Sequence, residues 1–389
     1  MKRSHLLIAI YLTILSTLSL AQTSERSVDL SASDGTRLKA TFFAAAKPGP
    51  GVLLLHQCNR QRKVWDGLAR QLASSGINVL TLDYRSFGES EGEPIANLPP
   101  DKARAVFEKM PSDIDTAYAY LVAQPGVNRN VFGVGGASCG VNNAIQAAIR
   151  HPEVKSLVLL SGNTDWNGRK FMRSSASPPT FLAIADDDEF KPSITSIQWI
   201  YSLAANSGKV LVEYPNGGHG ADIFTVHPEL VGLIVDWFKT TLITTPGHAP
   251  TPKQAAKVPA EVALLDEIDQ SGGTAKVSKQ LQQARQKDPT AQLFDEALVN
   301  FIGYEHQQGG DTAGAIEIMK LNVEAYPKSP NVYDSLGDIY LAAGNKELAR
   351  QNAQRALDLL PSDTTDDEAR RKAIHDNAEQ KLKQTASPQ

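Results

Sequence analysis

A chain of 389 residues is long enough for two domains, or for one large domain with an appendage. Its 41% apolar and 21% charged residues are those of a folded globular protein, and a net charge of −4 gives no reason to expect nucleic acid or an anionic membrane as partner. Only two cysteines, Cys58 and Cys139, are present, which excludes a disulfide framework or a cysteine-based zinc site; with no phosphate loop or dinucleotide fingerprint, no cofactor is implied.

At the N-terminus Lys2, Arg3 and His5 precede an apolar run from Leu6 to Leu20, and Ser19-Leu20-Ala21 places small residues where a signal peptidase reads. A membrane-spanning helix needs about 20 apolar residues. The run therefore predicts a signal peptide over residues 1–21, cut after Ala21, and an exported protein with no membrane attachment after cleavage. Ser27–Ser31 and Arg37–Phe43 alternate polar and apolar residues around Asp34-Gly35, predicting a β-hairpin. Gly51–Leu55 is an unbroken apolar run, as a strand buried on both faces requires, and Asn78–Leu82 is the next buried strand. Between them Val64, Leu68 and Leu72 recur at helical spacing, closed by Gly76. Residues 91–111 predict an irregular excursion with one short helix near Asp101–Met110, and Asp113–Ala123 a separate amphipathic helix. Val131–Val134, Lys155–Ser161, Thr180–Ala185 and Lys209–Tyr214 complete the strands. Val226–Thr241 predicts a long closing helix with Val231, Ile234, Val235 and Phe238 as its apolar stripe. Strands alternating with helices demand a mostly parallel sheet covered on both faces, an α/β domain over residues 22–243.

Residues 244–258 carry three prolines and no apolar period, the composition of a linker. Beyond it Gly303, Gly310, Ala315 and Pro327 recur as Gly337, Gly344, Ala349 and Pro361, each 34 residues on. This period resembles tetratricopeptide repeats, with Ser329–Leu341 the most similar stretch, and implies an all-α domain over residues 259–361 that offers a surface to a protein partner. Val258–Pro289, divided at Gly272-Gly273, reads as a degenerate preceding pair. Two repeats alone bury too little surface, so the region is expected to use that pair or to dock on the first domain. Residues 362–389 predict a solvated, charged last helix and a frayed tail.

The strand Val131–Val134 runs into Gly136-Ala137-Ser138-Cys139-Gly140, and a helical pattern follows at once. Glycines two residues before and after a serine on a sharp strand-to-helix turn remove colliding side chains and expose the hydroxyl. The helix that starts there aims free N–H groups at an oxyanion formed on the serine's substrate. A serine hydroxyl needs an imidazole to take its proton and a carboxylate to hold that imidazole. Phe181–Ala185 leads into Asp186-Asp187-Asp188, and Val210–Tyr214 into Pro215-Asn216-Gly217-Gly218-His219-Gly220, so acid and base follow Ser138 in the order Ser, Asp, His.

On these residues, from about Val28 to Thr241, the chain resembles an α/β-hydrolase, and in its compactness the dienelactone hydrolase family. The family's D-x-x-x-P spacing selects Asp188, ahead of Pro192, over Asp186 or Asp187. Dienelactone hydrolases carry cysteine at the nucleophile position, whereas here Ser138 stands there and Cys139 follows, which points to an ordinary serine esterase. Asp83-Tyr84-Arg85-Ser86-Phe87-Gly88-Glu89-Ser90 is similar to the superfamily segment D-x-R-G-x-G-x-S, with Ser86 in place of glycine. The resemblance implies that His56 shapes the oxyanion loop, and that the oxyanion hole is made by the amides of Cys139 and of Gln57 or Cys58. Gln57, where glycine is usual, is expected to narrow or polarise the acyl side. His227 is expected to be a capping or surface residue. A Cys58–Cys139 bond would brace the hole if the Cα atoms lie within ~7 Å; two buried free thiols are the expected state. The segment Gly162–Pro179 is too short for more than a flap over the site, which predicts an open site for small or exposed acyl groups.

Three functions fit these residues: an exported serine hydrolase cleaving a carboxylic ester through an acyl-enzyme, a peptidase or amidase using the same residues, and a binding scaffold in which only the repeats act. The intact order of Ser138, Asp188 and His219 favours the first two.

Overall fold

The computed structural model describes residues 23–250 and 256–386. The predicted signal peptide and residues 251–255 of the predicted linker lie outside the described residues. Strands β1 (Ser24–Ser31), β2 (Arg37–Ala44), β3 (Gly49–Leu55), β4 (Asn78–Asp83), β5 (Val127–Ala137), β6 (Val154–Leu160), β7 (Thr180–Ala185) and β8 (Lys209–Tyr214) form one sheet in the order β1-β2-β4-β3-β5-β6-β7-β8. The hairpin β1–β2 leads in antiparallel, β2 pairs antiparallel with β4, and all later pairings are parallel. Parallel strands need crossovers, supplied here by α1 (Asp66–Ser74), α2 (Pro100–Ala123), α3 (Cys139–Arg150), α4 (Trp166–Arg173) and α5 (Pro192–Leu203); α6 (Ile223–Val226) and α7 (Glu229–Phe238) follow β8.

Side chains alternate along the central strands into two cores. Leu53, Leu55, Leu157 and Leu159 join α2, α3 and α5 on one face. Val52, Leu54, Val158 and Leu160 join α1 and α7 on the other. This is the period of two that a strand buried on both faces imposes.

Two helices of the sheet domain differ from expectation, both at a proline. Residues 100–123 form one continuous helix across Pro111 instead of a short helix, a break and a second helix. A proline inside a helix costs about 3 kcal/mol. Met110, Ile114, Ala117 and Leu121 lie on a single buried face that crosses it, so packing outweighs the lost backbone bond. The expected helix over residues 226–241 is instead interrupted at Pro228, which starts α7 and leaves the separate turn α6 before it.

The remaining chain is helical: α8 (Ala260–Asp269), α9 (Gly273–Lys287), α10 (Glu296–Gln308), α11 (Thr312–Ala325), α12 (Pro330–Ala342), α13 (Lys346–Leu359) and α14 (Glu368–Thr385). The bounds of α10 and α11 recur 34 residues later as those of α12 and α13. Ala315 and Ala349 are fully buried, and Gly303 leaves room where Met319 packs. Helix α14 is mostly exposed, as expected of a solvated helix, but it buries one face. Its Lys381 stem runs against Gly337, and its ammonium, almost fully buried, meets Asp334 at 2.8 Å and Asp338 at 2.6 Å. The expectation that the helical region uses the α8–α9 pair or docks on the sheet domain is met in both ways. Val262, Leu265, Ile268, Leu281 and Ile302 share one apolar core with Ile197, Ile200 and Leu203. Among the described residues, no helix is long and apolar enough to cross a membrane.

Candidate active site

The sheet brings the chemistry to its carboxyl edge, where parallel strands build their sites. Ser138 follows β5 with φ 53° and ψ −121°, a backbone strained for any residue with a side chain. Its N–H donates to Leu160 O at 2.9 Å, and its carbonyl accepts from the Val141 N–H. A side chain at Gly136 would run into the Gly140 carbonyl, and one at Gly140 into that of Leu55. Both glycines are therefore required by close backbone approach on the two sides of the turn.

His219, after β8, is 3% exposed and its Nδ1 lies 3.0 and 2.9 Å from the two carboxylate oxygens of the fully buried Asp188. Asp186 and Asp187 are exposed, and among the described residues Asp187 accepts only the Gly218 N–H. The structure thus brings Asp188, and neither of its neighbours, to the imidazole. Nδ1–H is committed to this carboxylate, leaving Nε2 as the ring's basic nitrogen. Among the described residues neither Nε2 nor Ser138 Oγ makes a hydrogen bond; contacts of this kind commonly tighten only with substrate.

A third element links the other two. Gln57, directly after β3 and His56, is fully buried. Its Nε2 donates to the His219 carbonyl at 3.2 Å, and its Oε1 accepts the Ala221 N–H at 2.8 Å. β3 and β8 lie on opposite sides of β5, β6 and β7 in the sheet. The loop after β8 therefore reaches across the carboxyl edge toward the end of β3, past the strand that carries Ser138. Gln57, expected to narrow or polarise the acyl side, has both amide ends bound to the His219 loop. The two cysteines are likewise not free thiols. Cys58 and Cys139 are joined in a disulfide with Cα atoms 5.9 Å apart, because the close packing at Gly140 brings the start of α3 against the end of β3.

The amides of Gln57 and Cys58 donate to no acceptor among the described residues, and that of Cys139, first in α3, has no intrahelical partner. His56 has both ring nitrogens engaged within the fold. Burial holds its pKa below the ordinary value, its Nδ1 donates to the Gln57 carbonyl at 2.8 Å, and its Nε2 accepts the Tyr84 N–H at 3.4 Å. His227 stacks on Tyr214, with Nε2 at Asn216, as a surface residue. Ser86 holds the positive φ of 65° that glycine would ordinarily fill. Sequence reasoning missed Phe190, 52% exposed, whose ring lies 4.6 Å from that of His219; its place in the acidic loop just after Asp188 was the available signal.

The segment Gly162–Pro179, expected as a flap, is tied to the helical region. Arg169 of α4 binds Asp269 at 2.9 Å, together with Glu305 and the Thr164 carbonyl, and Arg173 reaches Asp266 and Asp269. The helical region thus packs on the segment that flanks the site.

Residues 46–178 match the family model described as serine aminopeptidase, S33. With the sheet described above, this gives the chain an α/β-hydrolase fold. A thiohydrolase of Aspergillus aculeatus is 30% identical over 128 residues, which cover 32% of this chain and 37% of that protein. An acyltransferase of Aspergillus calidoustus is 24% identical over 44% of this chain and 59% of its own length. An uncharacterized protein of Escherichia coli K12 is 27% identical over 50% of this chain and 74% of its own. The chain therefore spans less than two thirds of the length of the two fungal relatives. Among solved structures, a dienelactone hydrolase of Anabaena variabilis aligns with a TM-score of 0.48 and 22% identity, covering 57% of this chain and 99% of the other. A Pyrococcus furiosus esterase aligns with a TM-score of 0.43 and 18% identity, covering 56% and 93%.

Proposed function

We propose that this protein is an exported serine hydrolase that cleaves carboxylic esters through an acyl-enzyme, with Ser138, His219 and Asp188 as its triad. The reading is carried by one observation: a serine on a strained strand-to-helix turn shares a sheet edge with a histidine whose Nδ1 is committed to a buried carboxylate. His219 Nε2 takes the proton as Ser138 Oγ attacks the acyl carbonyl. Asp188 holds the tautomer and stabilises the imidazolium. The oxyanion forms against the amides of Cys139 and of Gln57 or Cys58. The imidazolium then protonates the departing alcohol, and water repeats the sequence to release the acid. Export rests on the leader sequence. The helical region, read as tetratricopeptide repeats from its 34-residue period, presents its α12–α14 end to a protein partner while its α8–α10 end holds the flap.

A second reading, peptide or amide cleavage by the same residues, is favoured by the aminopeptidase description of the matching family model. Fluorophosphonate labelling that disappears in Ser138→Ala tests the nucleophile, and its persistence in that variant would defeat both readings. Turnover of short-chain p-nitrophenyl esters in preference to aminoacyl anilides is the result expected for the first, and the reverse preference establishes the second.

A further inference from the structure

We infer that Gln57 and the Cys58–Cys139 disulfide act together as a strap that sets the distance between the nucleophile turn and the histidine loop. They are positioning residues for the hydrolase chemistry proposed above, on which the inference rests. Consecutive residues at the end of β3 grip the two other parts of the site. Cys58 is bonded to the residue directly after Ser138. Gln57 brackets Gly220 with its paired contacts to the His219 carbonyl and the Ala221 amide. Gly220 has φ +63°, and a Cβ there would stand 2.5 Å from Gln57 Oε1, so glycine at this position leaves room for the amide. Along the chain, Gln57 is separated from His219 by 162 residues and Cys58 from Cys139 by 81. Through the strap the elbow and the base loop are joined by the Gln57 amide and the Cys58–Cys139 disulfide.

The strap also spans the proposed oxyanion hole, since the bonded residues carry amides on its two sides. An oxyanion exists only after attack, so loosening these amides weakens the transition state while leaving ground-state binding in place. Both cysteines are half-buried, and the disulfide is opened with a dithiol. Its thiolate attacks one sulfur to form a mixed disulfide, and its second thiol closes on the first. Two electrons and two protons pass to the protein, giving two cysteine thiols and the cyclic disulfide of the reagent.

The test uses the full mature chain. Alkylation with intact-mass measurement should add two groups only after reduction; addition without reductant would overturn the strap at once. In the oxidised enzyme, hydrolysis of a short-chain p-nitrophenyl ester gives the reference kcat and KM. Reduction should lower kcat about tenfold or more, a part of the roughly 10²–10³-fold effect of losing one oxyanion donor, with KM within about twofold. Reoxidation with oxidised glutathione should restore kcat. A Cys58→Ser, Cys139→Ser double variant should sit at the reduced level and ignore reductant, and Gln57→Leu should lower kcat with the disulfide intact. Amide hydrogen exchange over residues 219–221 should rise on reduction and in Gln57→Leu. Unchanged kcat with unchanged exchange would overturn the strap, and so would a joint loss of kcat, KM and circular dichroism, which marks a folding staple. If the oxidised enzyme neither turns over esters nor takes the fluorophosphonate label, the hydrolase reading fails; the exchange measurement still decides the strap.

Discussion

Asp188 and Asp187 differ by one position along the chain and by everything in their surroundings. Asp188 is fully buried with both oxygens at His219 Nδ1, and its Oδ1 also accepts the Phe190 N–H at 2.8 Å. Replacing it by asparagine keeps the shape but removes the charge that, in the proposed mechanism, fixes the tautomer and stabilises the imidazolium. Asp188→Asn should therefore lose roughly 10⁴-fold in kcat. Asp187→Asn retains an acceptor for the Gly218 N–H on the surface and should stay within about twofold, as most exposed substitutions do. Steady-state ester kinetics on the pair decide the matter: equal losses would place the acid elsewhere. At this scale the site was partly legible. Ser138 shows itself through its glycines, and Asp188 through its distance from Pro192, because these are local requirements of turn geometry. Gln57 was not legible as a clamp, because its partners lie 162 and 164 residues away. Nor was the cysteine pairing, which depends on how closely α3 sits against β3.

At the docking of α4 on α8 and α10 the fold is expected to respond to pH. Glu305 of α10 is almost fully buried, and that burial pushes its pKa up to about 7 although Arg169 pulls the other way; Asp165 and Asp269 add like charge nearby. His306 stands beside it in sequence and binds Asp269 at 3.0 Å. A carboxyl whose folded pKa exceeds its unfolded value binds more protons when folded, so its contribution to stability is full below about pH 4.5 and is lost as pH rises to about 7. The shift corresponds to about 3 kcal/mol over that window. Glu305→Gln keeps an acceptor for Arg169 and cannot ionise. Thermal unfolding of both proteins from pH 4.5 to 8 should show wild type losing several degrees relative to the variant as pH rises; parallel curves would refute it. The sequence could not show this cluster, since Arg169, Asp269 and Glu305 sit on three helices and read singly as surface charges. The same limit hid α14. Its buried Lys381 looks like any solvated lysine until Asp334 and Asp338 are seen beneath it. Pro111 misled in the other direction, because a local breaker was overridden by one long apolar face.

For the molecule as a whole, the boundary that composition suggests is not the boundary that packing draws. The linker at residues 244–258 separates two kinds of sequence, yet the apolar core on the α2–α3–α5 face runs without interruption into α8, α9, α10 and α11. Beyond α11 the cores are small and separate: Leu336, Ile339 and Tyr340 with Ala315 and Met319, then Ala353 and Ala356 with Ile374 and Ala378. A chain cut within the linker uncovers Ile197, Ile200, Leu203 and neighbouring Trp199 together, a contiguous apolar patch of the kind that drives aggregation. It also leaves Arg169 and Arg173 without Asp269, Asp266 and Glu305. A chain cut after Pro327 loses only the outer cores and keeps each contact to α4 and α5 named above. Residues 22–327 should thus be monomeric by size exclusion, melt a few degrees below the full chain, and label with fluorophosphonate at Ser138. Residues 22–250 should aggregate or fail to label. In the full chain, limited proteolysis should remove α12–α14 first, since stability in a repeat array falls toward an end that has one neighbour. If residues 22–250 prove as stable and as reactive as the full chain, the helical region is an independent module, and its hold on α4 contributes nothing to the site.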